Sequence, residues 1–264
     1  MNIQTTVLVD ADVCAFQASL LSEKPVDWGD GLHTLHCFEE EAEQMFDAMI
    51  STIVEATGAD KVILTFTDKV NWRKSVLPTY KGNRAATRKP MLLGHLTRRA
   101  ATIYETFVRP TLEGDDVLGI MATRRTINKT IIASIDKDMK TIPGAYYDFG
   151  KKVFYEITVA QADYYHMYQT LIGDTTDGYT GCPGCGPKTA EKILAPFVAE
   201  AGTFDNAGAW EAIVKTYIKA KLGPTEALVQ ARVARICRNT DYNFKTKEVI
   251  LWTPPVLPTP ATPA

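Results

Sequence analysis

The chain has 264 residues, 45% of them hydrophobic, and a formal net charge of −2. It is long enough to bury a core in one large or two modest domains, and no apolar run approaches the roughly 18 residues of a membrane span. Five cysteines, an odd number and scattered, suit a reduced cytoplasmic protein better than a disulfide framework.

The opening Met1–Thr6 lacks a basic n-region and an apolar h-region, so no secretory leader is expected. Thr5–Val9 is a short β-rich run that ends at Asp10. Glu39–Thr57 places Ala42, Met45, Phe46, Met49 and Ile53 at helical spacing and closes near Gly58. Lys61–Phe66 reads as a buried strand ending at Asp68. From Lys69 to Tyr104 there are nine basic residues and no acidic one, against the sign of the whole chain. A solvated face is the plain reading of such a block. Trp72, Tyr80 and the Gly82-Asn83 turn interleaved with it favour a phosphate-binding segment. Leu92–Tyr104 is a predicted helix, and Glu113–Arg125 another, whose acidic start suits the helix dipole. Thr130–Ile135 is a strand ending at Asp136, and Tyr146–Ile157 a hairpin about Gly150-Lys151. From Val159 the pattern is helical. Thr253–Ala264 holds five prolines in twelve residues and reads as a disordered tail.

Strands alternating with helices imply an α/β fold with a mostly parallel central sheet. Asp10, Asp68 and Asp136 then fall at the carboxyl ends of strands, the edge where open α/β sheets form ligand sites. Further acids lie nearby in sequence: Glu113, Asp115 and Asp116 at a helix start, Asp138 two residues past Asp136, and Asp174 with Asp177 at i and i+3. Singly these are caps, turns and solvated pairs. Gathered at one edge, they would repel strongly unless cations lay between them. Oxygen donors in a chain with four histidines point to Mg²⁺ or Mn²⁺, not zinc. Two such ions are the apparatus for in-line phosphodiester cleavage.

The stretch Leu171–Leu194 contains Gly181-x-x-Gly184-x-Gly186-x-Lys188 before a helix, a helix–hairpin–helix signature. Its glycines admit a phosphate to the backbone amides. The Cys182-Pro-Gly-Cys185 within it lacks a second cysteine pair or nearby histidines for zinc. The glycines also do not fit a thiol redox motif, so the cysteines read as incidental.

These motifs together resemble the 5′-nuclease superfamily of flap endonucleases, polymerase I nuclease domains and phage 5′–3′ exonucleases. The likeness rests on Val9-Asp10-Ala-Asp12, Phe66–Lys74, Tyr80–Arg84, Leu112–Asp116, Asp136–Pro143 and Gly173–Tyr179, in family order. A terminal block through Gln230–Arg232, Asn243-Phe244 and Lys247–Trp252 extends it. It implies a catalytic region over 1–158 with helices on both sheet faces and a short helical arch about 71–100. It also implies a helical region over 159–252, with its helix–three-turn–helix about 171–195. By matching position, Asp10, Asp68, Glu113, Asp115 and Asp116 would surround a first metal ion. Asp138, Asp174 and Asp177 would surround a second, with Asp136 near both; Asp12 has no firm role in the family. Lys81 and Arg84 match the basic pair that contacts the scissile phosphate. Arg73, Lys74, Tyr80, Gly184, Gly186 and Lys188 would meet DNA, with Tyr80 either a stacking platform or a core tyrosine, and K⁺ at the hairpin.

The implied activity is 5′–3′ exonucleolytic hydrolysis of duplex ends, nicks and flaps, and of RNA in RNA–DNA hybrids, serving phage replication or recombination. A PIN-type ribonuclease and a non-catalytic DNA-structure-binding protein are the alternatives. The first usually lacks the hairpin element, and the second would have lost metal carboxylates. Setting the nine cluster carboxylates aside turns the net charge of −2 into +7, so the remaining surface is basic.

Overall fold

A computed structural model describes residues 4–125 and 128–255. The proline-rich tail expected over 253–264 lies outside these from residue 256 onward. In chain order come β1 (Thr5–Asp10), α1 (Ala11–Leu21), β2 (Lys24–Asp27), β3 (His33–His36), α2 (Glu39–Thr57) and β4 (Lys61–Thr65). Next are α3 (Arg73–Val76), α4 (Leu93–Ile103), β5 (Thr106–Phe107), α5 (Gly114–Ala122), β6 (Lys129–Ser134), β7 (Gly144–Asp148) and β8 (Val153–Ile157). Four helices follow, α6 (Val159–Ile172), α7 (Pro187–Leu194), α8 (Asn206–Lys219) and α9 (Pro224–Ala234), then β9 (Tyr242–Asn243) and β10 (Glu248–Val249).

The main sheet has the order β5-β4-β1-β6-β7-β8, parallel throughout except for β8, which runs antiparallel to β7. β1 sits mid-sheet, and its alternation splits the core in two. Val7 and Val9 pack with α1, α2 and α4 through Ala15, Phe46 and Leu96. Leu8 points the other way, onto Leu118 of α5, Met139 and Ile236. Helices therefore cover both faces, as the alternating pattern implied. Both central strands deliver their last residues, Asp10 and Ser134, to the same edge.

Helices α6 to α9 enclose a third core that includes Met167, Leu171, Ile213 and Tyr217. Cys182 and Cys185 belong to it as free, buried thiols, so their apolar role agrees with the incidental reading. Gly173 and Gly181 bring the end of α6 against the hairpin that follows. A Cβ on Gly173 would stand 2.3 Å from the Thr180 carbonyl carbon, and one on Gly181 2.3 Å from the Gly173 nitrogen. Both have positive φ, so only glycine fits on either count.

Candidate active site at the carboxyl edge of the sheet

Asp10 ends β1 and begins α1. Its carboxylate accepts hydrogen bonds from Ser134 Oγ at 2.7 Å and from the Val13 amide at 3.4 Å. Burial nevertheless pushes its pKa up to about 7, with Asp12 and Asp136 adding repulsion. Asp115, in the first turn of α5, is raised by burial and by the fields of Asp10 and Asp136. Asp136, two residues past Ser134, is raised by burial, although its side chain caps the Asp138 amide at 2.8 Å. Asp138 is pushed up to about 7 by burial and by Asp136, while accepting from Gln169 Nε2 at 2.6 Å. These four carboxylates have no direct cationic partner among the described residues.

The neighbouring acids behave oppositely. Burial alone would raise Glu113, but Arg73 and Lys81 outweigh it and hold the group below its ordinary value. Asp174 is likewise held down against burial by Lys137, 3.0 Å away. Asp177 accepts from Arg84 Nη2 at 2.6 Å and Tyr80 Oη at 2.8 Å, with Lys81 Nζ at 3.5 Å. The basic segment is pinned onto this acidic loop by its backbone too, since the Lys81 amide donates to Asp177 O at 2.8 Å. Lys81 holds a left-handed conformation, φ 53°, to do so, a strained state for a non-glycine residue. Between these groups lies an open cleft of ≈ 420 Å³, bordered by Arg84, Asp136, Lys137, Asp138, Asp174 and Asp177. As the side chains stand, no three His, Cys, Asp or Glu residues among those described close on one point as metal ligands. The ammonium and guanidinium groups of Lys81, Arg84 and Lys137 lie against the carboxylates instead.

Four expectations need correction. Asp68 is not drawn into the cluster. Its carboxylate caps the 109–112 turn, accepting from the Thr111 amide at 2.8 Å, a bond that lowers its pKa. Asp116 is fully buried and saturated: Arg73 grips both oxygens at 2.7 and 2.8 Å, and Trp72 Nε1 and the Cys237 amide add bonds at 2.9 and 3.0 Å. Arg73, expected to meet DNA, is therefore an internal residue, 2% exposed. Tyr80 offers no stacking face either; it is also 2% exposed, its hydroxyl turned inward to Glu113 and Asp177. Lys74, Gly184, Gly186 and Lys188 do reach the surface.

Asp12 contributes more than the sequence indicated. Its Oδ2 accepts from the Thr67 amide at 2.8 Å, tying the start of α1 to the end of β4, and burial with Glu113 nearby raises its pKa. The available signal was its position two residues past a strand-terminal aspartate. Gln169 and Lys137 also went unread, because nothing local marks a glutamine on a helix as a partner of Asp138, or a lysine between two aspartates as facing a cleft.

The family model of the 5′-3′ exonuclease N-terminal resolvase-like domain matches residues 5–161. The exodeoxyribonuclease of Enterobacteria phage T3 is 35% identical, the match covering 94% of this chain and 92% of that protein. The exonuclease of Escherichia phage T7 is 33% identical, with 94% and 93% covered. In fold, the chain is similar to the T5 D15 protein co-crystallised with metal ions, at TM-score 0.67 and 16% identity over 90% of each chain. It is also similar to T5 5′-exonuclease with bound zinc ions, at TM-score 0.57 and 19% identity over 88% and 93%. A domain match over more than half of the chain, and relatives a third identical along nearly all of it, agree with the strand-edge carboxylates: the chain belongs to the 5′–3′ exonuclease family.

Proposed function

We propose that this protein is a divalent-metal-dependent 5′–3′ exonuclease that hydrolyses phosphodiesters from the 5′ ends of duplex DNA. Nicks, flaps and the RNA of RNA–DNA hybrids are further substrates, in phage replication or recombination. The observation that carries the reading is the division of one acidic edge into carboxylates with no direct cationic partner among the described residues and carboxylates paired with lysine and arginine side chains. Hard oxygen donors gathered at one edge suit Mg²⁺, with Mn²⁺ able to substitute. Asp10, Asp115 and Glu113 would hold one ion, and Asp138, Asp174 and Asp177 the other, with Asp136 between them. Bound there, such ions would supply Lewis-acid activation of water and charge stabilisation of the leaving oxygen.

Lys81 and Arg84, which lie on Glu113 and Asp177 here, would grip the non-bridging oxygens of the scissile phosphate. Residues 159–252 would hold the duplex. Gly186 caps α7 and Pro187, which has no N–H, opens it; the Lys188 amide would meet a backbone phosphate beside that residue's exposed side chain, with K⁺ at the hairpin.

End-labelled duplex, nicked, flap and hybrid substrates test this in Mg²⁺. Asp138→Asn and Asp177→Asn should abolish cleavage while DNA affinity is kept or improved. Lys188→Ala should instead lower duplex affinity and reduce its salt slope by about 0.9, one phosphate contact. Cleavage by both carboxylate variants at wild-type rates would end the metal-dependent reading.

A further inference from the structure

Away from the carboxylate cleft, a second concave surface follows α5. One part, ≈ 810 Å³, is bordered by Arg124, Arg125, Pro143, Arg238 and Phe244. A smaller part, ≈ 100 Å³, is bordered by Phe107, Arg109, Arg124 and Phe244. Arg124 and Phe244 line both, so the two are one groove. It shares no lining residue with the carboxylate cleft.

Its charge is unbalanced. Arg109, Arg124 and Arg125 take part in none of the ion pairs among the described residues. Arg238 is anchored from behind, to Asp163 Oδ1 at 2.7 Å and Thr141 O at 2.9 Å, yet its buried Nε has no partner. Arginines after a helix end do favour its dipole, and this accounts for Arg124 and Arg125 singly. It does not account for their meeting Arg109 and Arg238 around one hollow in an acidic chain. Nor does it account for Phe244, which is 54% exposed. Tyr242 packs against that ring in a T-shaped pair, centroids 5.2 Å apart at 86°, and Phe244 lines both parts of the groove. Planar guanidinium forks bind phosphate bidentately, and an exposed aromatic face stacks any base.

We propose that this groove binds an unpaired nucleotide, with its base stacked on Phe244 and its phosphate held by Arg124 and Arg125. That the nucleotide belongs to a DNA strand rests on the function proposed above; the charge and stacking argument does not. The volume lies within the range usual for small-ligand sites.

The probe is a 5′-phosphorylated thymidine dinucleotide, titrated by ligand-detected NMR into the full chain in EDTA, with thymidine monophosphate and a single-stranded dodecamer as further arms. Arg124→Ala/Arg125→Ala should raise the dinucleotide Kd at least tenfold, and Phe244→Ala at least threefold. Arg98→Ala, exposed on α4 and lining neither cleft, should leave it unchanged. All of these side chains are exposed, and matching melting curves would show that the variants fold. A dodecamer weakened in parallel identifies a strand as the source, whereas loss of the monophosphate alone identifies a free nucleotide; both support the site. No dinucleotide binding by wild type, equal binding by the double variant, or loss through Arg98→Ala would overturn it. So would a tetraglutamate peptide that binds as tightly and ignores Phe244→Ala. Dinucleotide binding here in a chain that cleaves no DNA would remove the cleavage reading and leave this one standing.

Discussion

Arg73 uses all five of its N–H donors inside the protein: on Glu113, on both oxygens of Asp116, and on the carbonyls of Val233 and Arg235. It thereby ties the basic segment, the start of α5 and the end of α9 into one joint. Removing one member of such a buried network leaves the other charges unpaired, at a cost of about 3–5 kcal/mol. Arg73→Ala should therefore lower the urea midpoint severely, and Arg73→Lys should not rescue it, because a lysine ammonium cannot reproduce the fork. An unfolding free energy within about 1 kcal/mol of wild type for either variant would contradict the joint, given the ordinary run of surface substitutions. This residue also shows what local sequence conceals. In the string Trp72-Arg-Lys74, the arginine is buried and the lysine exposed, yet neighbouring letters treat them alike. The partners that decide between them lie 40 to 162 positions away. Asp68 and Asp116 were misplaced for the same reason: a strand end or helix start can be read locally, but the direction of the carboxylate depends on loops that arrive later.

Among the elements, α2 was the most legible. Its apolar period and the glycine after it gave Glu39–Thr57, the observed span. The β2–β3 hairpin went unread, since its side chains are nearly all exposed and the period-2 signal needs one buried face. Its one available mark was Gly29-Asp30-Gly31, three successive residues with positive φ. The packing of α6 on α9 was equally hidden, and a histidine makes it testable. His166 lies buried, its Nε2 2.7 Å from Ala231 O, and burial together with the Arg235 charge pushes its pKa down to about 3. The folded state keeps this imidazole neutral while the unfolded chain takes a proton near pH 6.5. Its contribution is thus complete above about pH 6.5 and fades as pH falls towards about 3, at about 1.4 kcal/mol per pH unit. His166→Gln should be less stable than wild type at pH 7.5, with the gap narrowing by pH 5 in urea titrations. Parallel losses in the two proteins on acidification would mean that His166 is not the buried neutral group.

At the scale of the molecule, the parallel sheet carries Asp10 and Asp136 to one edge, and α5 and the loop after α6 bring their own acids to meet them. Topology made that convergence readable in advance, because strand ends of a parallel sheet share an edge whatever lies between them. The balancing cations were not readable, since Lys81, Arg84 and Lys137 take their places only once the 174–178 loop is in position. The result is an edge under electrostatic tension. Asp138 and Asp10 are both pushed up to about 7, so near neutral pH each is ionised at a cost to folding. Asp138→Asn keeps an oxygen for Gln169 Nε2 and removes the charge, so in EDTA its melting temperature should exceed that of wild type. Divalent ions bound only by the folded state stabilise it by about 2.7 kcal/mol at a hundredfold excess over Kd. For a chain of this size that corresponds to a rise of about 5–10 °C in wild type. The rise should be clearly smaller in Asp138→Asn, which lacks one donor. A wild type insensitive to Mg²⁺ and Mn²⁺, together with a variant that melts lower in EDTA, would show that these carboxylates neither repel one another nor share a cation, and the edge would then have to be read as a set of separate caps.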